Sequence, residues 1–369
     1  MKKVPFFDYP RLWTDDRDAL IRIIDKTAAS GGFILQDAVV EFEAQLANYT
    51  GANYSVGVGN ATDGMEIFLE AIGVNPGDEI IICSHTMLAT ASAVKVAGGV
   101  PIPVDIGYDN LIDPECIEAA ITERTIGILP TQLNGRTCAM DPILNIAEKY
   151  GLFVVEDAAQ ALGSSYKGKR AGTFGMASDI SFFPAKVLGS LGDAGAVLVN
   201  DRSLYETVYE LHDHGRSIVD GEVKRWGRNS RLDNIQAAIL LHKLNSYPSV
   251  IDRRREVASI YDSRLNGMEE LKLPAPPDSN TEHFDVFQNY EIVVAKRDLL
   301  KQSLNFAGVG TLIQWGGKGI HHFEHLGFTQ HCPKTDKFFD GCLMLPMNNF
   351  VSDDDVHYVC DQIENFYRG

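Results

Sequence analysis

The feature that most constrains the fold is a regular alternation of apolar and helical segments between residues 53 and 200. The apolar runs DEIIICS (78–84), TIGILPTQ (125–132) and LFVVEDA (152–158) predict strands, because they are rich in β-branched residues. The intervening runs TDGMEIFLEAIG (62–73) and MDPILNIAEKYG (140–151) have the period of helices. This order predicts an α/β fold with a mostly parallel sheet covered by helices on both faces. Such sheets bind ligands at the carboxyl ends of their strands.

After residue 200 the pattern becomes more helical. The run SVIDRRREVASIYDSRL (249–265) predicts a long helix, and YEIVVA (290–295) and GTLIQW (310–315) predict strands. We therefore expect a large domain with an N-terminal arm at residues 1–247 and a smaller C-terminal α+β domain at residues 248–369.

Composition excludes several classes of protein. The net charge of -17 over 369 residues opposes a nucleic-acid partner. No apolar run reaches the roughly 18 residues of a membrane-spanning helix, and the start MKKVPFFDYPRLW lacks the apolar centre of a signal peptide. The six cysteines form no CxxC pair and no metal-ligand spacing. We expect a cytoplasmic protein with reduced thiols, no membrane partner and no metal site.

The segment GNATDGMEIF (59–68) places Thr62 and Asp63 where a strand gives way to a helix. The free N–H groups of a helix N-terminus bind phosphate, and the helix dipole assists them. The alternative is an ordinary N-cap formed by Thr62 or Asp63.

Two further features also follow predicted strands. Asp157 ends the strand LFVVEDA, with Gln160 three residues on, and Lys186 follows the apolar run SFFPA. Taken singly, Asp157 could be a structural ion pair or cap, and Lys186 could extend its amine to solvent. Together, a phosphate cradle, a strand-end carboxylate and a lysine are what pyridoxal phosphate requires.

Four segments resemble the DegT/DnrJ/EryC1/StrS aminotransferases. They are EDAAQALGSSYKGKRAGTFG (156–175), SFFPAKVLGSLGDAGAVLVN (181–200), NSRLDNIQAAIL (229–240) and LPM (345–347), and the resemblance extends from about Val4 to Tyr367. Members of this family are fold-type-I pyridoxal phosphate enzymes, with an architecture like that of aspartate aminotransferase. They act mostly on nucleotide-linked keto sugars.

The resemblance implies a role for each matching residue. Lys186 forms the Schiff base with the cofactor and shuttles the proton, and Asp157 pairs with the pyridine nitrogen. Gln160 packs on the ring face or hydrogen-bonds its phenolic oxygen. The phosphate contacts are implied to come from Thr62, the backbone of Asp63, Ser181 and, from the neighbouring subunit, Asn229. That last contact implies a homodimer with shared active sites.

The sequence departs from the family pattern in two places. In SHTMLAT (84–90) Met87 stands where the family has an aromatic residue over the cofactor ring, and His85 is the alternative. The run IQWGGKGIHHFEHLGF (313–328) replaces a segment that lines the sugar-nucleotide site. Candidate substrate contacts are Gln314, Trp315, Lys318, His321, Arg228 and Arg231, and ordinary core or surface side chains are the alternative for each.

These features predict an aminotransferase that moves an amino group from an amino acid, L-glutamate by family default, to a nucleotide-linked deoxy sugar, with a 3-oxo sugar favoured. One alternative substrate is a non-nucleotide keto sugar or cyclitol. Another alternative is a pyridoxal phosphate-binding regulatory protein without turnover. Lys186 argues against the related 3-dehydratases, which have histidine in its place.

Overall fold

The computed structural model describes residues 2–368 of the chain. Its strands are β1 (Tyr54–Val58), β2 (Glu79–Cys83), β3 (Val100–Val104), β4 (Thr125–Leu129), β5 (Phe153–Val154), β6 (Glu156–Asp157), β7 (Ser165–Tyr166), β8 (Lys169–Arg170), β9 (Ala177–Ser181), β10 (Gly195–Val199), β11 (Leu271–Lys272), β12 (His283–Phe284), β13 (Tyr290–Val294) and β14 (Cys342–Leu345).

The helices are α1 (Tyr9–Thr14), α2 (Arg17–Ser30), α3 (Asp37–Thr50), α4 (Ala61–Ile72), α5 (Leu88–Val96), α6 (Pro114–Ala119), α7 (Met140–Tyr150), α8 (Arg202–His212), α9 (Asn234–Leu244), α10 (Tyr247–Leu265), α11 (Arg297–Phe306), α12 (Pro333–Gly341) and α13 (Asp353–Arg368). No helix within residues 2–368 is both long enough and apolar enough to cross a bilayer.

The central sheet has the strand order β3-β2-β4-β5/β6-β9-β10-β1. A bridge between Thr131 and Asp157 continues the ladder from β4 to β6. Every pairing is parallel except those of β10, which is antiparallel to both β9 and β1. The connection from β9 to β10 contains no helix, and a parallel return would need a longer crossover. The predicted mostly parallel sheet is therefore confirmed.

Both faces of the sheet are covered, as strand β10 illustrates. Ala196 and Leu198 pack in a core with helices α3 and α9. Val197 and Val199 point the other way and pack with α4, α5 and α8. This burial on both faces explains the continuous apolar runs of the strands.

The C-terminal part has its own antiparallel sheet, β11-β13-β14, which packs with α10, α11 and α13. Helix α10 contributes Tyr247 and Ile251 to the core on α3, and Val257 and Tyr261 to the C-terminal core. Val4 joins this second core through a bridge to Val309. The division at residues 247 and 248 stays a prediction.

The predicted strand GTLIQW is wrong. This segment makes a single bridge, from Leu312 to Met344, and then enters a 3₁₀ turn at Gln314–Gly317. Trp315, Gly316 and Gly317 all have positive φ, of 45°, 68° and 79°, a conformation that no strand contains.

Candidate active site

A cavity of about 430 Å³ opens at the carboxyl ends of the parallel strands. This is the edge of the sheet at which α/β folds bind ligands. Seven of the residues predicted from sequence line it, namely Thr62, Met87, Asp157, Gln160, Ser181, Lys186 and Trp315. They come from five separate connections of the fold, so the tertiary structure brings them together.

Asp157 is the buried carboxylate of this cavity. Thr90 Oγ1 donates to its Oδ2 at 2.6 Å, and the N–H of Ala159 donates to its Oδ1 at 3.2 Å. Burial raises the pKa of Asp157, and the hydrogen bond from Thr90 opposes that rise. A chain of hydroxyls continues from Thr90 to Thr86 and Thr131, each step 2.8 Å. Sequence reasoning missed Thr90, although it closes the quoted run SHTMLAT.

Lys186 forms a wall of the cavity from the loop between β9 and β10. Burial lowers the pKa of its amine, and the nearby Asp157 and Asp179 oppose that shift. Gln288 braces the loop, since its Nε2 donates to Ala185 O at 2.9 Å and its Oε1 accepts from Val187 N at 2.9 Å. One side chain thus holds both peptides that flank the lysine. Nothing in the sequence near Gln288 indicated this role.

The N-terminus of helix α4 faces the same cavity. Asn60 is its N-cap and accepts from the N–H of Asp63 at 2.9 Å, so the alternative of a cap formed by Thr62 or Asp63 is wrong. The N–H groups of Ala61 and Thr62 have no acceptor among the described residues. The Asp63 N–H is therefore engaged within the chain, and its carboxylate accepts from Ser230 Oγ at 2.6 Å. The predicted phosphate contact at the backbone of Asp63 stays a prediction, and the N–H groups without an acceptor are those of Ala61 and Thr62.

These groups fit pyridoxal phosphate. The free N–H groups of Ala61 and Thr62, with Ser181 beside them, offer an anion site at one end of the cavity. Gly195 keeps this site open, because a Cβ there would lie 2.6 Å from Ala61 N. Asp157 supplies a carboxylate for a pyridine nitrogen, and Lys186 supplies an amine of lowered pKa.

Met87, and not His85, faces the cavity. Met87 is 54 % exposed and lies just before helix α5. His85 is buried, with Nδ1 2.8 Å from Asn110 O and its ring 4.3 Å from that of Phe338. Of the two candidates for the residue over a cofactor ring, only Met87 has the required exposure.

Gln160 and Trp315 line other parts of the cavity wall. Gln160 Oε1 accepts from Asn134 N at 3.0 Å, which fixes its amide. Trp315 occupies the left-handed region with φ of 45°, which is strained for a bulky residue and common at functional sites. Its neighbour Gln314 points inward and pairs with Asn134 at 3.1 and 3.3 Å. Gln314 therefore does not line the cavity itself, and it stabilises the wall through its contact with Asn134.

The predicted arginine contacts do not reach the cavity. Arg228 forms an ion pair with Glu70 at 2.9 Å, and Arg231 forms one with Asp213 at 2.9 Å. Both guanidinium groups are paired within the chain and lie outside this chain's cavity, and a substrate contact by either arginine stays a prediction. Asn229 is exposed between them and faces away from its own chain's cavity.

Two other substrate candidates also lie elsewhere. Lys318 is exposed outside the cavity. His321 is buried, with Nδ1 2.5 Å from Ser84 Oγ and Nε2 2.7 Å from Asp336 Oδ1. His322 Nε2 lies 2.7 Å from the same Asp336 oxygen, and its Nδ1 accepts from Gly319 N at 3.0 Å. That tautomer puts the hydrogen of neutral His322 on Nε2, which suits a donor to Asp336.

Residues 14–364 match the DegT/DnrJ/EryC1/StrS aminotransferase family. The chain is 37% identical to a "Pleiotropic regulatory protein" of Geobacillus stearothermophilus, with 99% of each chain covered. It is 35% identical to UDP-2-acetamido-2-deoxy-3-oxo-D-glucuronate aminotransferase of Pseudomonas aeruginosa, covering 98% of this chain and 100% of the relative. The crystal structure of S. venezuelae DesV in complex with a ketimine intermediate superposes with a TM-score of 0.95, at 32% identity and full coverage of both chains.

Proposed function

This chain belongs to the DegT/DnrJ/EryC1/StrS aminotransferase family, and on that premise we propose its reaction. The protein uses pyridoxal phosphate to move an amino group from L-glutamate to the keto group of a nucleotide-linked deoxy sugar. A 3-oxo sugar is the favoured acceptor. The observation that carries the proposal is the meeting of Asp157, Lys186 and the free N–H groups of helix α4 in one cavity.

The cofactor would be held at three points. Ala61, Thr62 and Ser181 would bind its phosphate, and Asp157 would hold the proton on its pyridine nitrogen. When bound, pyridoxal phosphate supplies an electron sink for the electrons released as a C–H bond breaks. Met87 would cover one face of its ring through a polarizable thioether.

Lys186 would provide the acid–base chemistry. Its amine has a lowered pKa because of burial, so a larger share of it is neutral and basic near pH 7. The amine would take a proton from Cα of the amino donor and return one in the second half of the reaction. Thr90 would keep Asp157 ionised by donating a hydrogen bond to its carboxylate.

The choice of a nucleotide sugar rests on the relatives and on the cavity wall. The Pseudomonas relative is named for a UDP-linked 3-oxo sugar acid. Trp315 and Met87 give the wall apolar surface on which a sugar ring or base can stack. The segment around Trp315 is also where a cyclitol or free keto sugar would be distinguished, so that acceptor class is the second candidate.

A regulatory role without turnover is the remaining candidate, and the name of the Geobacillus relative favours it. Against it, a protein that only bound the cofactor would have no need of a basic lysine braced on both sides by Gln288. The set of Asp157, Thr90 and Lys186 is what proton transfer requires.

The proposed working unit is a cytoplasmic homodimer with shared sites. The loop before Asn229 exposes four large apolar side chains, with Ile218 at 42%, Val219 at 72%, Val223 at 66% and Trp226 at 95%. Such a concentration of exposed apolar side chains is typical of a protein–protein contact. A second copy packed on this loop would carry Asn229 toward the phosphate end of its partner's cavity.

The experiment is a visible absorbance spectrum of the purified protein. Bound pyridoxal phosphate should make the protein yellow, L-glutamate should remove the visible band, and a nucleotide-linked 3-keto sugar should restore it. Lys186→Ala is the control that should not show this cycle. A protein that binds no pyridoxal phosphate would overturn the proposal. A yellow protein that no amino acid changes would favour the regulatory candidate.

A further inference from the structure

Asn134 is a buried asparagine whose backbone lies in the left-handed region. It follows strand β4, with φ of 56° and ψ of 22°. Asparagine enters this region more readily than most residues with a side chain, but the conformation still has a cost that surrounding contacts must offset. The next residue, Gly135, packs so closely that a Cβ there would lie 2.5 Å from Gln288 N. The backbone of this turn is therefore held by the segment that leads into the C-terminal sheet.

The side chain of Asn134 uses all of its hydrogen-bonding capacity. Its Oδ1 accepts from Asn289 Nδ2 at 2.7 Å and from Gln314 Nε2 at 3.1 Å. Its Nδ2 donates to Glu291 Oε2 at 2.9 Å and to Gln314 Oε1 at 3.3 Å. An amide has two acceptor positions and two donor positions, so none is left over. Among these partners only Glu291 can carry a charge, and hydrogen bonds to charged groups are the strongest of this kind.

Glu291 is a carboxylate of strand β13, and it is only 6% exposed. Its Oε1 accepts from Cys342 Sγ at 3.4 Å and lies 3.6 Å from His85 Nε2. Within residues 2–368 no lysine or arginine forms an ion pair with it, and Asn134 provides the one N–H donor at hydrogen-bond distance. A buried carboxylate needs such a donor. Glu291 and the side chain of Asn134 therefore hold each other in place.

Asn134 also fixes the orientation of Gln160. The backbone N–H of Asn134 donates to Gln160 Oε1 at 3.0 Å. Because an N–H group can only donate, the amide oxygen of Gln160 faces Asn134 and its Nε2 is turned away. Gln160 lines the large cavity, and within residues 2–368 its Nε2 has no acceptor. The NH₂ group of Gln160 is therefore free to donate to a bound ligand.

We propose that Glu291 is a positioning residue, which acts through Asn134 to keep the NH₂ group of Gln160 directed to the cavity. This role rests on the proposed function, and it adds a residue of the C-terminal sheet to the cofactor site. The acceptor would be the negatively charged phenolic oxygen of pyridoxal phosphate. If the amide of Gln160 turned over, its carbonyl oxygen would face that oxygen and repel it.

Glu291→Met tests this role, because methionine has a similar length but accepts no hydrogen bond of comparable strength from Asn134. The Kd for pyridoxal phosphate, titrated into the cofactor-free protein, should rise about tenfold. The visible absorbance of the bound cofactor changes with pH, and its midpoint should move up by about one pH unit, since a lost donor disfavours the deprotonated form. Glu269→Met, the same change at an exposed position, should alter neither value.

Two further variants separate positioning from general stabilisation of the fold. Glu291→Gln keeps an oxygen acceptor for Asn134 and should restore the midpoint of wild type. In a Gln160→Met background, which lacks the amide, Glu291→Met should cause no further shift of the midpoint, because the effect passes through Gln160. A residue that only stabilised the fold would lower the melting temperature and would shift the midpoint equally in both backgrounds, which would overturn the proposal.

Asn134→Gly covers the case in which Glu291→Met does not fold. Glycine adopts a φ of 56° without strain and keeps the N–H group, but it lacks the side chain that Glu291 holds. The midpoint should again move to higher pH. An unchanged midpoint in this variant would show that the contact between Asn134 and Glu291 does not position Gln160.

A measurement without cofactor makes the test independent of the proposed function. In the cofactor-free protein, hydrogen exchange of the Asn134 N–H should be at least about tenfold faster in Glu291→Met than in wild type, because the turn loses its anchor. A wild type that binds pyridoxal phosphate but reacts with no amino acid would overturn the proposed function, and the absorbance midpoints would still test Glu291. If wild type binds no pyridoxal phosphate, the exchange rates decide, and equal rates would overturn the role of Glu291.

Discussion

Asp157 and Asp179 are direct cross-strand neighbours, a register pair between the parallel strands β6 and β9, and both carboxyl groups are buried. The oxygens of Asp157 accept hydrogen bonds from Thr90 and Ala159. Neither oxygen of Asp179 has a partner among the described residues. The hydrogen bonds to Asp157 favour its charged carboxylate form, whereas the unpartnered and buried Asp179 favours the protonated form. The negative charge of the pair therefore lies on Asp157.

Asp179→Asn should make the cofactor-free protein more resistant to high pH. Burial, with repulsion from Asp157 and Glu156, raises the pKa of Asp179 well above its usual value, and Lys186 and the backbone N–H of Asp179 oppose this rise. A carboxyl whose pKa is raised by folding stabilises the fold below about pH 4, and that stability is lost as pH rises toward the folded-state pKa. Between about pH 4 and the folded-state pKa, the free energy of unfolding of wild type should therefore fall relative to that of the variant by up to about 1.4 kcal/mol per pH unit.

The measurement is denaturant unfolding of both proteins from pH 5 to pH 9. Asp340→Asn, at an exposed position, is the control, and its free energy of unfolding should depend on pH in the same way as that of wild type. Parallel profiles for Asp179→Asn and wild type would mean that Asp179 is ionised in the folded protein.

Thr90→Val should remove a hydrogen bond that stabilises the Asp157 carboxylate, while the shape of the cavity stays the same. Valine keeps the shape of threonine but removes the 2.6 Å hydrogen bond to the carboxylate. We expect the pKa of Asp157 to rise further and the rate of amino transfer to fall about tenfold, since a hydrogen bond to a charged group is lost. The pH dependence of the absorbance of the bound cofactor reports this change directly. An unchanged pH profile would exclude Thr90 as a positioning residue, and the exposed Thr329→Val is its control.

Lys186→Ala should abolish proton transfer while leaving the cavity able to bind the cofactor phosphate. Lys186 is the one basic residue among those that line the large cavity, so loss of its amine should slow each half-reaction about a thousandfold or more. Stopped-flow absorbance with L-glutamate measures the first half-reaction. Partial rescue by added methylamine would support loss of the base, whereas a variant within tenfold of wild type would contradict the assignment.

Trp226→Ala should weaken the proposed dimer. The indole is 95% exposed in the single chain and lies on the same loop as Val219 and Val223, close to Asn229 in the chain. If a second copy covers it, its removal should raise the dimer dissociation constant at least about tenfold, as measured by sedimentation. Tyr108→Ala removes an aromatic ring that is 97% exposed elsewhere and should change nothing. A monomeric wild type, or an unaltered dimer in Trp226→Ala, would contradict this interface.

Local pattern was sufficient for most of the large sheet. The strands around Ile80, Ile128 and Val154 and the helix after Asn60 appear where the periodicity predicts them, because each combines local propensity with burial on both faces. The run around Leu312 was wrongly predicted to be a strand, and the reason is physical. Its apolar residues pack against β14, but the two glycines after Trp315 turn the backbone before a ladder can form.

Some residues of the candidate site were predictable from the sequence, whereas the pairing of others was not. Lys186 and Asp157 were recognisable because a charged group beside an apolar strand is rare without a chemical use. The ion pairs of Arg228 and Arg231 could not be foreseen, because their partners Glu70 and Asp213 are remote in the chain and a sequence does not reveal which cations are already paired.

The sequence alone determined the alternation that builds the sheet, and it pointed to the side chains proposed to carry the chemistry. Only the tertiary structure decided that Asn60 caps α4, that Gln288 holds the loop of Lys186, and that the carboxyl group of Asp179 is buried without a partner. Propensity acts between residues close in the chain. Burial and pairing, which set charge and pKa, depend on groups that only the packed fold brings together.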